Sequence, residues 1–268
     1  MSKTIRTVRR STKSRRETFE YEDRVPNAIV VHELPKKKFT LHDLNDIAPL
    51  TYSQERVFDL WRDDYSMVLS GSAGTGKSLV ALFLALQEVL SGKSKYKKVI
   101  IVRSAVQTRE IGHLKGDLSE KTEVYELPYI QLCNDIFCKY NQYKFLKESG
   151  IIEFVTTSFV RGLTFKDCIV IADEFQNCNY GEISTVVSRL GNNAKIVLCG
   201  DTKQNDLITK RNEESGMAEF VEISKMIPSF RNVHFTVDDI VRSGLVKEFL
   251  MAEERYNELK TERLNSRK

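Results

Sequence analysis

No Cys-x-x-Cys pair occurs among the five cysteines (Cys133, Cys138, Cys168, Cys178, Cys199), and the four histidines (His32, His42, His113, His234) are scattered. An odd cysteine count without close pairs argues against a disulfide framework and against a zinc site, and leaves the cysteines as small buried hydrophobes. No apolar run approaches the length of a membrane span, and none of signal-peptide length follows the N-terminus. The chain therefore reads as a cytosolic protein with no membrane partner. Acids are missing from one end. Residues 1–16 hold Lys3, Arg6, Arg9, Arg10, Lys13, Arg15 and Arg16 with no Asp or Glu, so the net charge of +4 conceals a body at −3. Such a tail either binds polyanions or is a disordered solubilising end.

What is present suits one good-sized core: 268 residues, 41% hydrophobic. Residues 1–48 read as a polar, basic, flexible arm, 49–250 as the folded domain and 251–268 as a charged C-terminal helix or tail. A helix is expected from Thr51, with Val57, Leu60 and Trp61 on one face. Short apolar runs then alternate with helices. Strands are expected at 66–70, 99–102, 151–155, 168–172 and 194–199, with a sixth at 233–237. Residues 79–90 are apolar nearly all round and predict a buried helix. Residues 117–147 read as mainly helical with Pro128 as a break, and 183–190 and 240–250 as further helices. Apolar strands alternating with helices imply an α/β fold with a mainly parallel sheet covered on both faces.

Gly71-Ser72-Ala73-Gly74-Thr75-Gly76-Lys77-Ser78 matches G-x-x-x-x-G-K-[ST] in full, between an expected strand and an expected helix. Glycines permit the tight turns that aim successive N–H groups at phosphate oxygens, and the helix adds its positive dipole end. Lys77 is placed to reach the outer phosphates and Ser78 to hold magnesium. The chemistry is thus ATP binding with Mg2+. Residues 169–174 form an apolar strand ending in two acids. Asp173 would face the magnesium, and Glu174 would polarise the attacking water as general base. After the fifth strand, Gly200-Asp201-Thr202-Lys203-Gln204 offers Gln204 as a γ-phosphate contact. A GTPase would need a carboxylate where Asn205 stands, so guanine specificity is not expected.

The order of these motifs resembles the PhoH family of ATPases, related to superfamily 1 helicases. The resemblance runs over residues 51–250, and its marks besides the P-loop are Arg103-Ser104-Ala105-Val106 leading to 111–118, Arg161-Gly162-Leu163-Thr164, Asp173-Glu174-Phe175-Gln176-Asn177, Gly200 to Gln204, and 237–242 followed by Leu245-Val246. Departures are Ser104 where the family commonly has Pro, Thr108-Arg109-Glu110-Ile111-Gly112 for Gly-Glu-x-Leu-Gly, and Phe175 for Ala. A PIN nuclease domain, carried by some members, has no counterpart in the short arm. The family includes phage-encoded members, for which the compartment would be the host cytoplasm. The resemblance implies a RecA-like sheet, ATP hydrolysis and a role on RNA or single-stranded nucleic acid. It also makes Gln54 an adenine reader, as against a solvated helix residue, and Gln176 a coupler of the γ-phosphate. Arg161 and Arg242 become candidate charge stabilisers. One RecA-like domain supplies one wall of an ATP site, so a homo-oligomer, a hexameric ring by resemblance, would bring a neighbour's arginine; Arg242 is the first candidate, unless it pairs locally with Asp238 or Asp239.

The segment from Arg103 to Leu118 carries Arg103, Arg109, His113 and Lys115, and the matching region in helicases touches the strand backbone. It is either such a contact or an ordinary polar loop. Tyr125, Tyr129, Phe137, Tyr140, Tyr143 and Phe145 lie among lysines, a pattern open to base stacking but better suited to core packing. The competing functional class is an ATP-driven protein switch or assembly factor that never moves along a strand.

Overall fold

The computed structural model describes residues 39–104, 118–137, 139–201 and 215–265. Its elements, in order, are α1 (Tyr52–Arg62), β1 (Ser66–Gly71), α2 (Lys77–Leu90), β2 (Lys98–Arg103), α3 (Leu118–Phe137), α4 (Gln142–Glu148), β3 (Ile152–Thr156), β4 (Cys168–Asp173), α5 (Tyr180–Val187), β5 (Ala194–Gly200), α6 (Met217–Lys225), β6 (Phe230–Phe235) and α7 (Leu245–Asn265). The strands form one sheet in the order β3-β2-β4-β5-β1-β6, with every pair parallel. This is the parallel sheet expected from the alternation of strands and helices, and the RecA-like arrangement that the resemblance implies. β5 separates β1, which leads into the P-loop, from β4, which ends in the acids.

The continuous apolar runs arise because both faces of the sheet are covered. Met67, Leu69, Val99, Ile101, Ile169, Ile171 and Val197 point into one core, with the apolar residues of α1, α2 and α3. Their neighbours Val68, Ile100, Val102, Val170, Ile196 and Leu198 point into the other, with Ile183, Val186, Met217 and Phe220. This is the period-2 alternation of a strand with no solvent side. α2 buries Val80 through Leu86 without interruption, as its all-round apolar character demands. Four cysteines (Cys133, Cys168, Cys178, Cys199) are buried and unpaired, and burial pushes the Cys133 and Cys178 thiols up to about 12.

Several elements depart from the sequence expectation. α3 runs through Pro128 without a break. The carbonyl that a missing N–H at this position leaves unpaired belongs to Val124, which is exposed, so water can take it. β6 begins at Phe230, three residues before the expected start, because the polar Arg231 and Asn232 hide an edge strand from a search for apolar runs. Val237–Asp239 is a 3-10 turn, and the final helix starts at Leu245 after Gly244 (φ 57). That helix continues to Asn265, so its first turns and the expected C-terminal segment are one element. Residues 39–48, counted with the arm in the sequence, lie against the domain. Phe39 is buried edge-on to Phe137, and the Asn45 N–H donates to the Ile136 carbonyl. The aromatic group divides as packing requires: Tyr129, Phe137 and Tyr143 are core residues, whereas Tyr140 is exposed.

Two polar clusters brace the helices. Buried Glu126 on α3 accepts from the Tyr143 hydroxyl at 2.7 Å and from Lys147 Nζ at 2.7 Å, both on α4. Lys195, 1% exposed within β5, stacks its ammonium 4.0 Å above the Trp61 ring and donates to the Trp61 carbonyl at 3.2 Å.

Among the described glycines the tightest approach is at the end of β1. Gly71 has φ 122, and a Cβ there would lie 1.9 Å from the Phe235 carbonyl oxygen on β6. Gly71→Ala is therefore expected to force β1 and β6 apart and to destabilise by more than ~2 kcal/mol. Gly92→Ala is the control: Gly92 has φ 67 but open space around its Cβ, so only about 1 kcal/mol of left-handed strain applies. Thermal melting tests this; a loss of roughly 2–4 °C is expected for Gly92→Ala, and a clearly larger one for Gly71→Ala.

Candidate active site

β1 delivers the chain into the P-loop, and three glycines at positive φ shape it: Gly71 (φ 122), Gly74 (φ 73) and Gly76 (φ 81). The loop is anchored outside itself. The Ser72 N–H donates to the Phe235 carbonyl at 3.1 Å, and the Val241 N–H to the Gly74 carbonyl at 3.1 Å. Gln54 Nε2 donates to the Thr75 carbonyl at 2.9 Å while its Oε1 accepts from the Leu50 N–H at 2.8 Å. Buried Gln54 is thus a brace between α1 and the loop, with both ends of its amide engaged by the chain. Each end of the amide keeps one further hydrogen-bonding position, one N–H on Nε2 and one lone pair on Oε1, beyond these two bonds.

Lys77 opens α2 and is buried. Its Nζ donates to the carbonyls of Gly71 at 3.0 Å and Ser72 at 2.6 Å and to Thr75 Oγ1 at 3.2 Å. The loop curls around its own cation, which lies 5.8 Å from the Phe235 ring centre. Burial lowers the Lys77 ammonium below the usual lysine range, and the charge of Asp201 is the largest effect opposing it. The next residue, Ser78, donates its hydroxyl to Asp173 Oδ1 at 2.8 Å.

Asp173 ends β4 at 7% exposure, and its second oxygen accepts from the Tyr129 hydroxyl at 2.9 Å. Glu174 follows in a left-handed conformation, φ 53, which turns it out of the strand. Burial raises the Glu174 carboxyl above the usual glutamate range, and the Asp173 charge adds to this, while Arg103 and a hydrogen bond from Gln176 oppose it. That bond is short: Gln176 Nε2 donates to Glu174 Oε2 at 2.6 Å. Gln176 Oε1 accepts from the Asp201 N–H at 3.0 Å, so one buried amide ties Glu174 to the end of β5. Gly200 makes room for it, since a Cβ there would sit 2.7 Å from the Phe175 ring and 2.9 Å from Gln176 Oε1.

Together these groups line a cleft of about 420 Å³ whose walls include the P-loop from Ala73, Asp173, Glu174, Asp201, Asp135 and Arg242. The donor set fits a magnesium nucleotide. Among the described residues no group of three His, Cys, Asp or Glu side chains could cage a metal alone. One hydroxyl beside one carboxylate, next to a loop of N–H groups, is what magnesium uses when phosphates supply further ligands.

Of the residues expected at the site, Gln54, Lys77, Ser78, Asp173, Glu174, Gln176 and Arg242 converge on the loop or cleft. Arg242 lies beside its own P-loop: a Cβ on Gly74 would be 3.2 Å from Arg242 Cγ. Arg161 is exposed and does not line the cleft. Arg103 is half-buried, donates from Nη1 to the Tyr125 carbonyl at 3.4 Å, and acts electrostatically on Glu174. Arg109, Lys115 and Gln204 lie outside the described residues. Two further contacts have no signal in the residue order. Tyr129 reads there only as a core aromatic, and its bond to Asp173 joins positions 44 apart. Ser72 donates to Glu254 Oε2 at 3.0 Å on α7, a helix otherwise notable for exposed Leu245, Phe249 and Tyr256. Among the described residues no helix is long and apolar enough to cross a membrane.

The chain resembles several curated proteins. It is 34% identical over 188 residues to a PhoH-like protein of Bacillus subtilis, covering 70% of this chain and 57% of that one. It is 32% identical over 232 residues to a PhoH-like protein of Mycobacterium bovis, covering 85% and 64%. The chain thus spans roughly three fifths of the length of these relatives. A solved large terminase of a thermophilic bacteriophage, in complex with ADP, matches at 14% identity and a TM-score of 0.46, covering 78% of this chain and 49% of that one. The family model described as PhoH-like protein matches residues 46–254, and with these identities the chain belongs to the PhoH family.

Proposed function

We propose that this protein is a magnesium-dependent ATPase that acts on RNA or single-stranded nucleic acid as a helicase-like remodeller. The observation that carries the hydrolytic reading is the Ser78–Asp173 hydrogen bond with Glu174 beside it: a phosphate loop and a pair of acids meet at one cleft. Loop N–H groups and Lys77 hold the phosphates, Lys77 exchanging its carbonyl partners for phosphate oxygens. Ser78 and Asp173 hold magnesium, which when bound neutralises charge on the outer phosphates. Glu174, held by Gln176, takes the proton of the attacking water. Its raised carboxyl makes it a stronger base than an exposed glutamate. Arg242, expected from the sequence to act on a neighbour's site, lines this chain's own cleft and is assigned here to the γ-phosphate of that cleft; Gln204, which follows β5 in the sequence, is assigned to the same group.

The nucleic-acid half of the proposal rests on family membership and on the cationic segment at Arg109 and Lys115. A homo-oligomer, and a hexameric ring in particular, belongs to the same proposal. The competing reading, an ATP-driven protein switch, is the outcome if nucleic acid leaves the ATPase rate unchanged.

Lys77→Ala is expected to lose nucleotide binding or turnover, because the loop loses its only buried cation. Glu174→Gln is expected to bind ATP at near wild-type affinity and to hydrolyse it about 10²-fold or more slowly, since water activation alone is removed. Equilibrium binding and phosphate release separate the two, and wild-type turnover by Glu174→Gln would remove it from the mechanism. For the nucleic acid, ATPase rates are to be measured with RNA, single-stranded DNA and duplex DNA. Stimulation by a single strand, lost in an Arg109→Ala/Lys115→Ala double variant with intact basal rate, is the expected result. No response to any of the three would leave the protein-switch reading in place.

A further inference from the structure

We infer that Tyr129 is a positioning residue for Asp173, fixing the carboxylate that holds magnesium; the inference rests on the ATPase reading above. A carboxylate has two oxygens and turns about its last bond unless both are engaged. Here Oδ1 accepts from Ser78 and Oδ2 accepts from the Tyr129 hydroxyl at 2.9 Å. The phenol comes from α3 and the acid from β4, so the contact is tertiary and depends on how the helix is seated.

That seating is well determined. Tyr129 is 1% exposed, its ring packed 5.9 Å from the Phe154 ring on β3. One turn earlier, Glu126 is clamped by Tyr143 and Lys147 of α4, which fixes the rotation of α3 about its axis. At Tyr125 the helix carbonyl accepts from Arg103, the cation that acts on Glu174. One helix therefore holds one acid directly and reaches the other through Arg103. A buried aromatic whose task was only to fill space would be served as well by Phe; among the described residues the hydroxyl's hydrogen-bond partner is the metal-holding carboxylate. Hydrogen bonds to ligating carboxylates tune metal affinity as the ligands themselves do.

The test compares the wild type, Tyr129→Phe, and a variant with p-aminophenylalanine at position 129, which keeps a para donor. A fluorescent ATP analogue is titrated into each in EDTA and across a Mg2+ series, and melting is followed in parallel. For Tyr129→Phe we expect affinity in EDTA within about twofold of wild type, since the bond acts through the metal-holding acid alone. The Mg2+ concentration giving half the magnesium-dependent gain should rise on the order of 10-fold. The Mg2+ half-saturation of the ATPase should move with it, more than the rate at saturating Mg2+. The aminophenylalanine variant should return both to within about threefold of wild type. An unchanged Mg2+ midpoint in Tyr129→Phe overturns the inference. So does a Phe-like defect in the aminophenylalanine variant, which would trace the effect to the ring. If Tyr129→Phe melts below the assay temperature, all three proteins are compared at a lower temperature at which it is folded, and the same outcomes decide. A wild-type protein with no magnesium-dependent gain would sink the ATPase reading itself, a result distinguishable from either failure.

Discussion

The Ser78–Asp173 hydrogen bond joins two segments 95 residues apart, and the rest of the structure serves to hold its ends in place. One end stands at the start of α2, the other at the end of β4. They meet because β1 and β4 are both parallel strands of one sheet, separated by β5, and end on the same edge. Parallel pairing puts every strand's carboxyl end on that edge, where loops leave and helices begin. Burial of both sheet faces fixes the register, since a slip by one residue would exchange the two cores. Val68 and Leu69, adjacent in β1, already belong to opposite cores. The cleft is thus a consequence of the apolar alternation in strands that never touch ligand.

Once the edge is formed, close approaches refine it. Gly71 lets β6 come within van der Waals distance of the loop, so that the Phe235 carbonyl can take the Ser72 N–H. Gly200 lets Gln176 pass close enough to receive the Asp201 N–H. Gly76 leaves space for the Gln54 amide, 3.0 Å from where its Cβ would be. In each case a side chain or backbone group occupies the volume that any other residue would fill. The glycines therefore matter as much for what reaches the loop from outside as for the turns they permit within it.

Much of this is legible in the residue order. The P-loop, the two acids after an apolar strand, and the alternation of strands with helices are local patterns, and local patterns survive translation into structure. What the residue order hides is tertiary or masked by polar residues. Tyr129 reads as one more aromatic at helical spacing, because nothing in its neighbourhood announces a partner 44 positions away. Lys195 breaks the apolar run of β5 and resembles a solvent-facing position, yet Trp61 and Asp64 draw its ammonium inward. β6 reads short because of Arg231 and Asn232, since an edge strand need not be apolar throughout. Pro128 suggests a break because its cost is assessed locally, whereas α3 is stabilised by the packing of Tyr129, Cys133, Ile136 and Phe137 on the far side of the proline. Gln54 does reach the loop, but its two hydrogen bonds go to the chain itself, a preference no spacing rule conveys.

The charges around the cleft bear on the form in which a nucleotide can enter. Among the described residues its lining includes four carboxylates, Asp135, Asp173, Glu174 and Asp201, against two cations, Lys77 and Arg242. Acidic groups outnumber basic ones on these described walls, and like charges a few ångströms apart near a protein surface repel by on the order of a few kcal/mol. A bare triphosphate would meet that repulsion with only Lys77, Arg242, the loop amides and the α2 dipole in its favour. A triphosphate that arrives with a divalent cation reverses the sign of the interaction with Asp173 and weakens it with the others. On the magnesium-ATPase reading proposed above, the acids would therefore favour the metal complex over the free nucleotide. Gln176, neutral and bonded to both Glu174 and the Asp201 backbone, is then well suited to its position: a charged residue there would upset a balance that depends on the incoming complex.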